Sequence, residues 1–289
     1  MKNYKIFLIL FSAILFFTSN IGLTHAQAEP DTTALQEKVK NLQLMITDAK
    51  LQREMISGSY LVMDISDNSV ISGKNINQAY PIASITKLMN AVITVENVDM
   101  NQSITLQKNM LKPWGYSPSL FLNLIVSAKN LLRASLIQST NDAAESLTYF
   151  IGHQKFLELM NQKAKELGME HTYFYDAHGL SPKNHSSSSD IAKLVTYIYK
   201  NHPEILSATK DDDFWLPDST GRLLKFQNLN NFYKLPEFIG GKTGYLPEAK
   251  QSLASVFNLN GRPVIIVLLY SKSRQADTFK VINLVKNNF

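Results

Sequence analysis

Three short stretches of the chain hold side chains able to act on a carbonyl group. The first is Ser84-Ile85-Thr86-Lys87, which follows Tyr80-Pro81-Ile82-Ala83 and opens a run of helical periodicity. A serine and a lysine three apart on a helix share one face. A hydroxyl becomes a useful nucleophile when a base takes its proton. A lysine amine can be that base if burial or a second cation lowers its pKa. The helix N-terminus adds N–H groups aimed at developing negative charge. By itself the pair has a plain alternative, a helix N-cap beside a solvated lysine. The second stretch, Ser139-Thr140-Asn141, sits between two helical segments, where Asn141 could be an ordinary cap. The third, Lys242-Thr243-Gly244, follows Gly240-Gly241 at the end of a strand, where glycines let a ligand backbone come close. Gly241-Lys242-Thr243 also imitates the end of a phosphate-binding loop. The first glycine of that motif would fall on Pro236, and a strand follows in place of a helix, so this reading is excluded.

The elements that must position these residues are read from periodicity. Residues 60–65 and 69–72 form two strands around the turn Ser66-Asp67-Asn68. A helix-rich middle follows, with apolar faces in 85–95, 130–138 and 141–150. Residues 154–167 make a helix ended by Gly168, and 191–199 another, capped by Ser189 or Asp190. Strands return at 238–243, 252–259 and 263–271, the last two joined by the hairpin turn Asn260-Gly261. A closing helix, 275–286, has Phe279, Ile282 and Val285 on one face. Strands at both ends with helices between predict an α+β fold: one antiparallel sheet built from both chain ends, flanking helices and an inserted helical lobe. No linker rich in Pro, Gly or Ser divides the chain, and there are no internal repeats.

Composition narrows the class. The chain has 289 residues, 45% of them apolar, and a formal charge of +5, too small a surplus to argue for nucleic acid. The absence of cysteine removes disulfides, thiol nucleophiles and cysteine-held zinc. Lys2 and Lys5 precede an apolar run at 6–17, broken by Ser12, and then Thr24-His25-Ala26 or Ala26-Gln27-Ala28 as the cleavage point. This is a signal-peptide pattern over 1–28, shorter than the ~20 residues of a spanning helix. The protein is expected to be exported to the periplasm, cell envelope or medium. An uncleaved anchor is the competing reading. Residues 29–57 form a helical extension in which Leu35, Val39, Leu42, Met45, Ile46 and Ala49 share a face, with Asp31-Thr32-Thr33 as N-cap candidates. It packs on the domain, serves as a spacer, or pairs with a partner helix. The six histidines show no metal-like grouping; His178 and His185 read as loop residues, and no metal or cofactor is expected.

Together and in this order, the three stretches resemble the Ser-x-x-Lys, Ser-x-Asn and Lys-Thr-Gly set of the penicillin-recognising serine enzymes. Their flanks narrow the likeness. Pro81-Ile82-Ala83-Ser84-Ile85-Thr86-Lys87-Leu88-Met89 and Gln138-Ser139-Thr140-Asn141-Asp142-Ala143-Ala144 are similar to the D-alanyl-D-alanine carboxypeptidase family of low-molecular-mass penicillin-binding proteins. So is the passage from Gly179-Leu180 through Asn184 to Asp190-Ile191-Ala192. The resemblance runs from about Gly58 onward and implies a β-lactamase/transpeptidase-like catalytic domain over 58–289. It implies a serine D,D-peptidase acting on peptidoglycan stem peptides and inhibited by β-lactams. Ser84 would be the acylated nucleophile and Lys87 its base. Ser139 would relay a proton to the leaving amine, with Lys242 nearby, and Asn141 would bind the substrate backbone. Lys242 and Thr243, in the Lys-Thr-Gly run with Gly244, would bind the terminal carboxylate. The N–H groups of Ser84 and Tyr245 would form the oxyanion hole.

Departures from the family pattern bear on substrate preference. Leu246 stands where a threonine is usual, Ala249-Lys250 where Ala-Gly is usual, and Asn123-Leu124 where a glycine is common. The absence of a second domain after the catalytic one, and of a stable membrane anchor, points toward D,D-endopeptidases; the loop pattern points toward carboxypeptidases. A β-lactamase is a further alternative, but the region that would supply its deacylating glutamate reads Tyr175-Asp176-Ala177-His178-Gly179. A non-catalytic wall-binding protein working through the 31–50 helix is the last.

Overall fold

Asn260 and Gly261 both take left-handed backbone angles, φ 54° and 82°, as a two-residue hairpin turn requires. In the computed structural model, which describes residues 32–113, 120–218 and 220–288, this turn joins the two central strands of a five-stranded antiparallel sheet. Its strands are β1 (Ser57–Asp64), β2 (Val70–Lys74), β3 (Phe238–Leu246), β4 (Lys250–Leu259) and β5 (Arg262–Ser271). Their order is β2-β1-β5-β4-β3, so the two ends of the catalytic region meet at the β1–β5 pair, with Leu61 opposite Val267. This is the sheet the sequence predicts.

Strand β5 shows why the sheet is covered on both faces. Val264, Ile266 and Leu268 enter one apolar cluster, while Ile265, Val267 and Leu269 enter the other. A strand buried on both sides reads as a continuous apolar run, and this one does. On the first face lie Phe232, Phe238, Phe257 and the closing helix α8 (Arg274–Asn288), which contributes Val281, Ile282, Leu284 and Val285. On the second face stand the helices of the lobe: α2 (Thr86–Asn97), α3 (Ala128–Ile137), α4 (Asn141–Thr148), α5 (His153–Glu166), α6 (Ser188–Asn201) and α7 (Pro203–Ala208).

Two units divide the chain, Met1–Asn41 and Leu42–Phe289. The signal-peptide reading of 1–28 and the cap candidate Asp31 lie outside the described residues. Helix α1 (Thr32–Glu54) lies within the expected extension of 29–57. Leu35, Val39, Leu42, Met45, Ile46 and Ala49 are exposed. In the second unit Thr47, Leu51 and Met55 are buried instead, with Leu44 packed beside them. The helix carries two apolar stripes. The one in line with the entry into β1 at Ser57 is the one that the sheet covers.

Smaller corrections follow the same logic. Helix α6 starts at Ser188, and its N-cap is Ser187, whose hydroxyl accepts the N–H of Asp190 at 3.2 Å. The expected cap Asp190 is fully buried, and its carboxylate accepts the N–H of His171 and the hydroxyl of Thr172. His185 lies in a two-residue strand, His185–Ser186, paired with Tyr80–Pro81 just before Ser84. Gly168 does end α5, with φ 65°.

Candidate active site

Ser84 sits in a single 3-10 turn, Ala83–Ile85, that runs directly into α2, so the first turns of that helix carry both Ser84 and Lys87. The preceding Ala83 is held at φ 48°, an uncommon angle for a residue with a side chain. Two glycines fix this turn from opposite elements. A methyl group on Gly179 would lie 2.0 Å from the Ala83 carbonyl oxygen and 3.0 Å from the Ser84 nitrogen. One on Gly244 of β3 would lie 2.9 Å from the Ile82 oxygen and 3.1 Å from the Ser84 nitrogen. The backbone N–H of Ser84 is therefore wedged between a loop and the sheet-edge strand that carries Lys242, Thr243 and Tyr245.

Lys87 is fully buried, not solvated. Its Nζ lies 3.0 Å from Ser84 Oγ, 2.7 Å from Asn141 Oδ1 and 2.6 Å from the His178 carbonyl oxygen. Burial pushes the amine down to about 7, against a smaller upward pull from Asp176. The proton count matters here. A neutral amine has two N–H bonds and one lone pair. Asn141 Oδ1 and the His178 carbonyl can only accept, so they take both N–H bonds. The lone pair is then left for the Ser84 hydroxyl, the arrangement a general base needs.

Asn141 is thus not a cap. The N-cap of α4 is Thr140, and Asn141 begins the helix with its amide oxygen on Lys87. Ser139 precedes it at φ 60°, a left-handed angle that holds it between α3 and α4. Its Oγ accepts from Lys242 Nζ at 2.9 Å, and the same amine reaches the Thr243 carbonyl at 3.0 Å. Burial holds the Lys242 amine well below its ordinary pKa, and the cations Lys87 and Arg274 lower it further. Two hydrogen-bonded groups result, Ser84–Lys87–Asn141 and Ser139–Lys242, coupled by charge. Tyr245 is 62% exposed on the edge strand beside them. The pair Gly240-Gly241 does not face a ligand. A methyl group on Gly240 would meet the backbone of Leu206 in α7, and one on Gly241 would meet Ala254 and Ser255 of β4, so these glycines serve packing.

Sequence reasoning missed the groups that support Lys87 from behind. Asp176 accepts the N–H groups of His178 at 3.1 Å, Gly179 at 2.5 Å and Ser181 at 2.7 Å. That fixes the His178 carbonyl against the amine. Buried Asn184 accepts the N–H groups of Tyr175 and Asp176 and donates to Thr86 Oγ1 in α2. Asn90, one turn beyond Lys87, donates to the carbonyls of Ala144 and Ala177 and ties α4 to the same loop. His178 is a loop residue, as expected, but its ring is buried against Asp176 and Glu145. Burial brings its pKa to about 4, so the imidazole is uncharged at neutral pH and these contacts are not ion pairs. Arg274, at the start of α8, donates to the Gly244 carbonyl at 2.8 Å and adds a third cation near Lys242. Among the described residues no group of acids and histidines has the arrangement of a metal site.

The family model described as D-alanyl-D-alanine carboxypeptidase matches residues 46–273. The D-alanyl-D-alanine endopeptidase of Escherichia coli (strain K12) is 32% identical over 233 residues, covering 75% of this chain and 72% of that protein. The D-alanyl-D-alanine carboxypeptidase DacF of Bacillus subtilis is 29% identical over 251 residues, covering 80% of this chain and 62% of that one. Penicillin-binding protein D2 from Listeria monocytogenes, solved in its cefotaxime-bound form, superposes with a TM-score of 0.69 at 25% identity, covering 81% of this chain and 98% of that one. The α+β fold expectation and the family resemblance are both borne out.

Proposed function

We infer the reaction from one premise: the chain belongs to the D-alanyl-D-alanine carboxypeptidase family. It is a hydrolase of the serine D-alanyl-D-alanine carboxypeptidase and endopeptidase class. The buried Lys87 amine, 3.0 Å from Ser84 Oγ with its two N–H bonds already claimed, carries the assignment of roles.

Ser84 Oγ attacks the carbonyl carbon between the two terminal D-alanines, and its proton passes to Lys87 Nζ. The oxyanion forms between the N–H groups of Ser84 and Tyr245. The C–N bond then breaks, and the leaving amine takes the proton held on Lys87 by way of Ser139 Oγ, which Lys242 orients. Water then attacks the acyl carbon as Lys87 takes one of its protons, the ester C–O bond breaks, and Lys87 returns that proton to Ser84 Oγ. Lys242 and Thr243 hold the terminal carboxylate, and Asn141 holds the substrate backbone. β-Lactams, which place a strained amide in the same position, acylate Ser84. Support for that comes from the cefotaxime-bound relative.

The preferred substrate is a free peptidoglycan stem ending in D-alanyl-D-alanine. The alternative is cleavage of D,D-crosslinks between stems, favoured by the 32% identical endopeptidase. Either activity belongs outside the cytoplasm. We place the signal peptide at 1–28, the helical extension at 29–57 and the catalytic domain at 58–289, with action in the periplasm or cell envelope. No helix among the described residues is long and apolar enough to cross a membrane.

Incubation with pentapeptide-bearing and crosslinked muropeptides, read by mass, tests the reading. Release of one D-alanine per stem identifies a carboxypeptidase, and splitting of dimers identifies an endopeptidase. Ser84→Ala should abolish both. Turnover by the Ser84→Ala protein equal to wild type overturns the assignment.

A further inference from the structure

A groove of about 610 Å³ lies between α5 and residues 173–175, outside the site described above. Its two walls differ in chemistry. Tyr173 and Tyr175 form one wall, 50% and 53% exposed, while Phe174 between them is buried. Alternation along an extended segment puts both rings on one side. Gln154, Glu158, Gln162 and Lys165 form the other wall, spaced four, four and three along α5 and so on one stripe of that helix.

The tyrosines are held rather than loose. Tyr173 exchanges backbone hydrogen bonds with His185 at 3.0 and 3.2 Å, and the two rings stack at 6.3 Å. The Tyr175 N–H goes to buried Asn184 at 2.8 Å, and Lys183 Nζ lies 4.6 Å from its ring centre. Each ring therefore has a partner of its own and still lines the groove. A fixed aromatic wall opposite amide, carboxylate and ammonium groups matches the chemistry of a sugar. The C–H faces of a pyranose pack on aromatic rings, and its hydroxyl and acetamido groups both donate and accept hydrogen bonds. Other ligand classes fit less well. Glu158 offsets Lys165, so the groove has no basic surplus for a nucleic acid, and the polar α5 stripe does not suit a lipid.

Position adds to the argument. Tyr175 is three residues from His178, whose carbonyl touches Lys87 Nζ. Three residues span at most about 10 Å, and an extended five-residue peptide spans about 17 Å. One substrate can reach both places. We propose that this groove binds the saccharide chain to which the stem peptide is attached, an assignment that rests on the D,D-peptidase reading for the identity of that chain.

Three proteins test it: wild type, the double variant Tyr173→Ala/Tyr175→Ala, and Glu158→Ala/Gln162→Ala on the opposite wall. All four positions concerned are surface groups, and equal thermal melts establish equal folding. For each protein, kcat/KM is measured on a pentapeptide borne by its disaccharide and on the same pentapeptide free. Binding of a β-1,4-linked N-acetylglucosamine tetramer is measured by titration calorimetry, and the rate of acylation by a fluorescent penicillin is measured alongside. Wild type should favour the sugar-borne substrate about tenfold. Both variants should bring that ratio toward one and lose tetramer binding, while free-peptide turnover and acylation stay within about twofold. A wild-type ratio of one, or a ratio and tetramer affinity that survive in both variants, overturns the proposal. Absent acylation and turnover would instead count against the peptidase reading, and the tetramer titration would still decide the groove.

Discussion

At the scale of single residues, the Lys87 amine sets the pH response. On the proposed mechanism the base must be neutral, and burial brings the Lys87 pKa to about 7, so the acylation rate should rise through pH 7 and level off above it. A stopped-flow series with a chromogenic β-lactam between pH 5 and 9 reads that limb. Replacing Lys87 by arginine puts a permanent cation in place of the base, and acylation should fall by about 10² to 10⁴. Asp176 acts on the same limb with a definite sign. Its carboxylate raises the Lys87 pKa, so Asp176→Asn should move the limb to lower pH. A change in rate with the limb unmoved would mean that Asp176 only holds the loop. Ser84, Lys87, Ser139, Asn141 and Lys242 were legible because each sits in a short motif with its own spacing. Asp176, Asn90 and Arg274 were not, because their work is done on carbonyls 30 to 87 positions away in the chain or on loop backbone.

At the scale of elements, the site depends on how a 3-10 turn, a loop and an edge strand meet. Gly179→Ala would put a methyl group 2.0 Å from the Ala83 carbonyl, at φ 89°, where a side chain is strained by about 1 to 3 kcal/mol. Ser84 must shift, so acylation should fall at least about tenfold, while far-ultraviolet circular dichroism stays native. Ser187→Ala removes the cap of α6 and should cost about 1 kcal/mol by denaturant titration, with Ser189→Ala near zero. Helices and main strands were legible from apolar periodicity and from Asn260-Gly261. The ribbons Phe214–Pro217 with Leu223–Phe226 and Ser103–Thr105 with Ile125–Ser127 were not. They are three or four residues long, too short for a period to register.

For the whole molecule, the predicted architecture of a sheet from both chain ends with a helical lobe on one face is the one observed. In helix α1 periodicity shows an apolar stripe but not whether the domain covers it, since a helix with two apolar stripes does not announce which one a sheet will cover. Leu51→Ala should cost about 2 to 5 kcal/mol because its side chain is buried among the aromatic cluster, whereas Leu42→Ala, 58% exposed, should stay within about 0.5 kcal/mol. Equal effects would contradict this division into a covered and an exposed stripe. On the proposed mechanism the lobe, the sheet edge and the buried Lys87 amine act together on one hydroxyl, that of Ser84. Intact-protein mass spectrometry after exposure to benzylpenicillin, followed by peptide mapping, tests that directly. Opening of the strained amide expels no atom, so the mass should rise by that of the whole drug, with the adduct on the peptide holding Ser84 and no adduct in Ser84→Ala. An unmodified folded wild type, or an adduct on another residue, would contradict the account.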